Sequence, residues 1–146
     1  MTTRPVDIGT TTERGLLGLH TTESESNGSL MRVSPIGIWA AGDPERAAAA
    51  AREDSLLTHR NPVCVEACAA YAAAIAIGVG GDNRDSMLRA ALAEAKGPAL
   101  DAIKRGAGGA RPDNYERKQG WVLIALQNAF YRLLHADSLE DGVFPP

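Results

Sequence analysis

Residues 61–78 read Asn61-Pro62-Val63-Cys64-Val65-Glu66-Ala67-Cys68-Ala69-Ala70-Tyr71-Ala72-Ala73-Ala74-Ile75-Ala76-Ile77-Gly78, and this stretch decides the fold class. Asparagine before proline is a helix start. The amide caps free N–H groups, and proline suits the first helical position, where its missing donor costs nothing. Alanine then dominates; it is the best helix former but a poor source of buried area. The stretch is apolar nearly all round, which predicts burial within a bundle. Its apolar run, residues 67–79, falls short of the roughly 20 residues of a membrane span.

Working outward, Asp43-Pro44 repeats the same start signal and opens a helix through about Leu57 that carries the alanine run 47–51. Downstream, Gly80, Gly81, Asp82 and Asn83 form a loop before a helix from about Arg84 to Ala95. Gly97-Pro98 separates this from a short helix ending at Arg105, and a Gly-rich loop covers residues 106–112. A last long helix is predicted over 116–135, with its central turns, 121–126, apolar on every side and therefore buried. Near the N-terminus, Asp7-Ile8-Gly9 followed by three threonines opens a short helix through about Leu19. Residues 20–29 are a polar loop. From Leu30 an apolar helix follows, kept short or kinked by Pro35 and Gly37. The chain stops at Phe144-Pro145-Pro146, just after a helix-like start at Asp137-Ser138, and both ends read as cut. The expectation is an all-α, multi-helix bundle forming a single domain over 1–146, with a polar, loop-rich lead-in at 1–29.

Composition agrees. The chain has 146 residues, of which 45% are hydrophobic and only 5% aromatic, so the β-branched and aromatic runs that strands need are scarce. Net charge is −3, both signs are interspersed, and no basic stripe marks a nucleic-acid partner. Met1 is followed by polar residues rather than a secretory signal. Cys64 and Cys68 lie four apart on one predicted helix face, which argues against a disulfide framework and fits a reduced, cytoplasmic setting. A zinc reading would need four ligands at fitting spacing, and His20 and His135 are too remote in sequence. Buried small cysteines are the better reading. Glu94 and Asp101 read as solvated helix charges.

Two stretches bear on chemistry. In Asn27-Gly28-Ser29-Leu30-Met31-Arg32-Val33-Ser34-Pro35, a loop of small polar residues enters an apolar helix. Gly28 would let backbone approach a ligand, and the N–H groups of Ser29, Leu30 and Met31 would suit a phosphate. An ordinary capping loop fits the same residues, and spacing alone favours it. The second stretch is Ser55-Leu56-Leu57-Thr58-His59, directly before Asn61-Pro62. His59 there is either a donor to a phosphate or ribose hydroxyl or a surface residue satisfied by solvent, and chemistry alone favours the second.

Taken together, the motifs resemble those of ADP-ribosylglycohydrolases. Residues 27–35 are similar to that family's G-N-G-S-L-M-R-x-x-P motif, and residues 7–12 to its D-I-G-x-T-T element. Leu57-Thr58-His59 with Pro62 is similar to its L-T-H segment. Residues 120–130, ending in Ser138-Leu139-Glu140-Asp141, resemble its late helix and the following turn. The resemblance implies an all-α bundle that hydrolyses ADP-ribose linkages with a pair of Mg²⁺ or Mn²⁺ ions. Asn27, Gly28 and Ser29 would then cradle the pyrophosphate, and His59 would lie against bound ADP-ribose. Arg32 and Met31 would orient the helix, while Asp7 and Thr10, Thr11 and Thr12 would play supporting roles. The family's two metal-binding acidic clusters, of T-D-D-T and D-x-D-T type, do not occur, and Ser26 stands where the motif usually has glycine. The chain alone is therefore expected to hold no metal ligands or catalytic residues and to be inactive as a hydrolase. Its partner would be ADP-ribose or an ADP-ribosylated substrate, with no nucleic acid or membrane involved and self-association through exposed helix faces. The alternative is a non-catalytic helical protein that binds ADP-ribose or serves a structural role.

Overall fold

Side-chain caps open three of the longer helices, two of them at the Asp-Pro and Asn-Pro starts read from the sequence. Asp43 accepts from the Arg46 N–H at 3.0 Å and starts α4 (Pro44–Leu56). Asn61 accepts from the Val63 N–H at 2.9 Å and starts α5 (Pro62–Val79). Asn83 accepts from the Ser86 N–H at 3.0 Å and starts α6 (Arg84–Glu94). Such caps contribute roughly 0.5–2 kcal/mol each. The computed structural model describes residues 9–113 and 115–143. Asp7 and Ile8 of the predicted N-terminal turn, and the closing Phe144-Pro145-Pro146, lie outside the described residues.

Helix α5 is the axis of the bundle. It packs against α4 and α6, and also touches α2 (Gly28–Arg32), α3 (Ser34–Trp39), α7 (Gly97–Ala107) and α9 (Val122–His135). Residues 63–78 are all buried or half-buried. Ala48 of α4 meets Ala69 and Ala73 of α5, with Ala90 of α6 alongside. Methyl side chains let these axes approach closely, so many short contacts replace the burial that large side chains would give. Arg52 ties the three helices together at their edge. Its guanidinium lies 3.1 Å from Glu66 of α5 and 3.0 Å from Glu94 of α6, and these partners raise its pKa. Glu94 is thus a partnered group rather than a freely solvated charge.

The second layer is α7 on α9. Ala99, Ala102, Ile103 and Gly106 form the buried stripe of α7 at helical spacing, opposite Val122, Leu126, Gln127 and Phe130 of α9. At the closest approach a Cβ on Gly106 would collide with the Gln127 carbonyl oxygen and lie 3.0 Å from the Tyr131 nitrogen. Three smaller helices complete the described residues: α1 (Thr10–Leu16), α8 (Tyr115–Lys118) and α10 (Leu139–Val143). Among the described residues there is no strand; Ser26 and Trp121 form one isolated antiparallel bridge.

Several expectations need correction. The last long helix is two pieces, α8 and α9, interrupted at Gln119-Gly120-Trp121, because this backbone pairs with the 25–27 loop instead. Asn27 donates to the Gly120 carbonyl at 2.8 Å and Val122 to the Glu25 carbonyl at 2.9 Å. Trp121 is consequently 55% exposed, with Lys118 5.2 Å from its ring, rather than buried. Helix α7 runs to Ala107, so Gly106 is a packing residue inside a helix and not part of a loop. Helix α1 ends at Leu16, not Leu19. The apolar helix α5 is 18 residues long with a mean hydropathy of 1.8, enough by length and composition to cross a membrane; its neighbours in the bundle account for that apolarity. The helix predicted from Leu30 is short, breaking at Val33, and Pro35 sits in the first turn of α3, where its missing N–H costs nothing.

Gly106→Ala is expected to lower stability by about 1–3 kcal/mol through overpacking of α7 on α9. Gly120→Ala, where an added Cβ meets nothing within 4 Å, should leave it within about 0.5 kcal/mol of the parent. Denaturant melts of the two variants check the contrast.

Candidate functional site

The polar loop 24–27 is held from two sides. The Asn27 side-chain amide donates to the Gln119 carbonyl at 2.8 Å, adding to the backbone bonds with Gly120 and Val122. From below, Cys64 of α5 donates to the Ser24 and Ser26 carbonyls at 3.6 and 3.4 Å. So fixed, the loop walls a cavity of about 610 Å³. Gly9, the three threonines of α1, Ser26, Asn27, Gly28, Met31, Arg32 and His59 line it.

The structure therefore brings Asn27, Gly28 and His59 together in one cavity, but with different roles from those their residue types suggest. Asn27 precedes α2 without capping it; its amide N–H is engaged by Gln119. Gly28 is where the backbone needs the missing side chain. A Cβ there would lie 2.8 Å from His59 Cε1 and Nε2 and 3.1 Å from Thr12 Oγ1. The Ser29 hydroxyl does not face the cavity. It is fully buried, 3.0 Å from Ser55 Oγ and 3.3 Å from Cys68 Sγ. The Met31 N–H is also spent, on the Asn27 carbonyl at 2.9 Å. The N–H groups of Gly28, Ser29 and Leu30, in the first turn of α2, have no intrahelical acceptor.

His59 is 1% exposed, so it is not the surface residue that its sequence context allows. Its ring lies between two hydroxyls, Thr58 Oγ1 at 2.8 Å from Nδ1 and Ser26 Oγ at 3.0 Å from Nε2. Behind Thr58, Arg32 Nη1 donates to the same Oγ1 at 2.8 Å, while Arg32 Nε pairs with Asp54 at 3.0 Å and Nη2 donates to the Asp54 carbonyl. Burial, and then the Arg32 charge, hold the His59 pKa below its ordinary value near 6.5, with Asp54 opposing. The imidazole is neutral at pH 7. Thr11 and Ser24 extend the polar set, with their hydroxyls 2.9 Å apart and Ser24 donating to Ser26 at 3.2 Å. The participation of Ser24, Ser26, Thr58 and Asp54 in one connected network could not be read from residue types. It depends on contacts 13 to 33 residues apart in sequence.

Cys64 and Cys68 are free and fully buried. Burial pushes the Cys64 thiol up to about 12 and raises that of Cys68. Both are packing residues rather than nucleophiles. A second cavity of about 570 Å³ lies among α5, α6, α9 and α10, walled mainly by apolar groups such as Ile75, Met87, Phe130 and Leu133. Its cations are engaged by backbone: Arg84 donates to the Ala136 carbonyl and Arg132 to that of Asp141. The converging polar groups are in the first cavity.

The donor set there does not suit a pair of divalent cations. Such ions need several hard oxygen ligands, mainly carboxylates, whereas the described lining contributes hydroxyls, amide groups, one imidazole and a guanidinium. Among the described residues no three His, Cys, Asp or Glu side chains stand close enough to share a metal ion.

Fold and cavity together define an all-helical protein that presents a polar, neutral-to-basic pocket at the mouth of a buried helix. The chain belongs to the ADP-ribosylglycohydrolase family, whose family model matches residues 1–144. No curated protein and no solved structure matches it.

Unfolding exposes His59 to water, where it binds a proton near pH 6.5 that the folded chain takes up only at lower pH. This group's contribution to stability is therefore complete above about pH 6.5 and is lost as pH falls toward the depressed folded value. Thermal melts between pH 7.5 and 5 should show that loss, and His59→Gln should flatten it. A titration with a thiol reagent at pH 8 should find neither cysteine reactive in the native chain and both reactive in denaturant.

Proposed function

We propose that the 610 Å³ cavity binds ADP-ribose, free or attached to an acceptor, and that this chain by itself does not hydrolyse the linkage. The observation that carries the reading is the convergence of the family's motif residues on one cavity: Gly28 and Asn27 from the loop, His59 from the segment before α5, and Thr10, Thr11 and Thr12 from α1. Hydroxyls, a neutral imidazole and the nearby Arg32 suit an anionic, hydroxyl-rich ligand. Members of the family hydrolyse ADP-ribosyl bonds with a Mg²⁺ or Mn²⁺ pair, as the resemblance implies. The lining described here supports binding without metal, because it offers no carboxylate to hold one or to serve as general acid. Arg32 is not a replacement acid. It cannot be deprotonated, and three of its N–H groups are already given to Asp54 and Thr58.

Calorimetric titration of the chain with ADP-ribose, in Mn²⁺ and in chelator, is expected to give the same affinity in both, with no ADP-ribose released from ADP-ribosyl-arginine in either. Gly28→Val, which drives a side chain against His59 and Thr12, should abolish binding while far-UV circular dichroism shows retained helix. Binding that requires Mn²⁺ would overturn the metal-free reading; a folded chain that binds no ADP-ribose would overturn the ligand.

A further inference from the structure

The hydrogen-bond network around His59 has a direction, and the direction assigns a role to Ser26. Arg32 can only donate, so Thr58 Oγ1 accepts its N–H at 2.8 Å. Thr58 is 3% exposed, and its hydroxyl has one other neighbour, His59 Nδ1 at 2.8 Å. If Nδ1 carried the ring proton, the Thr58 hydrogen would be buried with no acceptor, which costs about as much as a hydrogen bond is worth or more. Thr58 therefore donates to Nδ1, and the neutral ring carries its proton on Nε2. That proton is given to Ser26 Oγ at 3.0 Å. The Ser24 hydroxyl also donates to Ser26 Oγ, at 3.2 Å. With two donors on its oxygen, Ser26 has its own hydrogen left over, and Ser26 lines the cavity.

From this geometry we infer that the Ser26 hydroxyl is a specificity-determining donor to an anionic oxygen of the ligand, with His59 acting through it as a positioning residue. The chain from Arg32 through Thr58 and His59 starts on a cation and passes each hydrogen toward the cavity, so it polarises the last O–H toward an acceptor. A second chain, from Thr11 through Ser24, ends on the same oxygen. The same arrangement removes Ser26 from nucleophilic chemistry. A serine nucleophile needs a base with a free lone pair, and here Nε2 holds a proton. Arg32 behind the ring also opposes the imidazolium that such a base must become.

The inference rests on the ADP-ribose reading of this cavity, and two measurements on the full chain separate their fates. The first is the His59 ring tautomer by ¹⁵N–¹H correlation, resolved from the other two histidines by comparison with His59→Gln. A proton on Nε2 at pH 7.5 is expected, and one on Nδ1 overturns the inference whatever the chain binds. The second is calorimetry with ADP-ribose and with inorganic pyrophosphate. Ser26→Ala should weaken both by about tenfold or more, the scale of a hydrogen bond to a charged group, and Ser26→Thr should restore most of it. Unchanged affinity of Ser26→Ala for both ligands overturns the inference and leaves the ADP-ribose reading standing. Weakening for ADP-ribose but not pyrophosphate moves the contact to a neutral ligand oxygen and overturns the anionic assignment. A wild-type chain that binds neither overturns the ADP-ribose reading and the inference with it.

Discussion

The rest of the structure depends on how closely α4 and α6 can approach α5. Ala48, Ala69, Ala73 and Ala90 set that distance, and the depth of the bundle follows from it. A larger residue at any of these positions would push two axes apart, because a methyl-on-methyl contact has no rotamer with which to yield. The same closeness governs the site. The first turns of α5 place Cys64 and Cys68 under the 24–29 loop, where one thiol bonds its carbonyls and the other the Ser29 hydroxyl. His59, two residues before the Asn61 cap, is fixed by the same helix start. The cavity floor is thus an extension of the core, and its polar groups are held by packing rather than by the loop's own conformation.

Charge at the site is arranged so that the His59 imidazole stays neutral. Arg32 is half-buried and bound to Asp54, which brings a permanent positive charge close to an imidazole that burial already keeps neutral. The alternative, a histidinium facing the cavity, would place two cations near one threonine hydroxyl. A neutral ring with a fixed hydrogen is more useful for recognition than for proton transfer, since it distinguishes acceptors from donors without changing state near pH 7. The contrast with Arg52 is instructive. There two carboxylates surround one guanidinium, and the result is a strut between helices rather than part of a cavity wall.

Much of this was legible in the chain. Asp43-Pro44 and Asn61-Pro62 announced their helices because capping is local: the cap and the N–H groups it serves lie within three residues of one another. The family motifs named Asn27, Gly28, Ser29 and His59 as ligand contacts, and the structure places Asn27, Gly28 and His59 on the wall of one cavity. Local reasoning failed where partners are distant. The break between α8 and α9 has no strong signal beyond Gly120, because it is enforced by the 25–27 loop about 95 residues away. Ser29, a pyrophosphate contact by the family resemblance, keeps its N–H at the start of α2, and what the sequence did not reveal is that its hydroxyl faces Ser55 and Cys68, both in other helices. Gly106 looked like loop composition and is instead the closest contact between α7 and α9. Periodicity reports which face of a helix is apolar; it does not report which loop a neighbouring helix will pair with.

The position of Ser26 shows how one side chain can redirect an inherited cavity. With glycine there, as the family motif usually has, Nε2 of His59 would face the cavity directly and its N–H would be the donor a ligand meets. Serine interposes a hydroxyl, moves the donor outward, and adds a second support through Ser24 and Thr11. The backbone of the loop need not change for this, because the bonds from Asn27 to the Gln119 and Gly120 carbonyls, from Val122 to the Glu25 carbonyl and from Cys64 to the loop carbonyls do not involve the Ser26 side chain. A cavity whose described lining residues offer no carboxylate gains little from a better-placed proton acceptor. It gains more from a fixed donor, and the directional chain ending on Ser26 provides one.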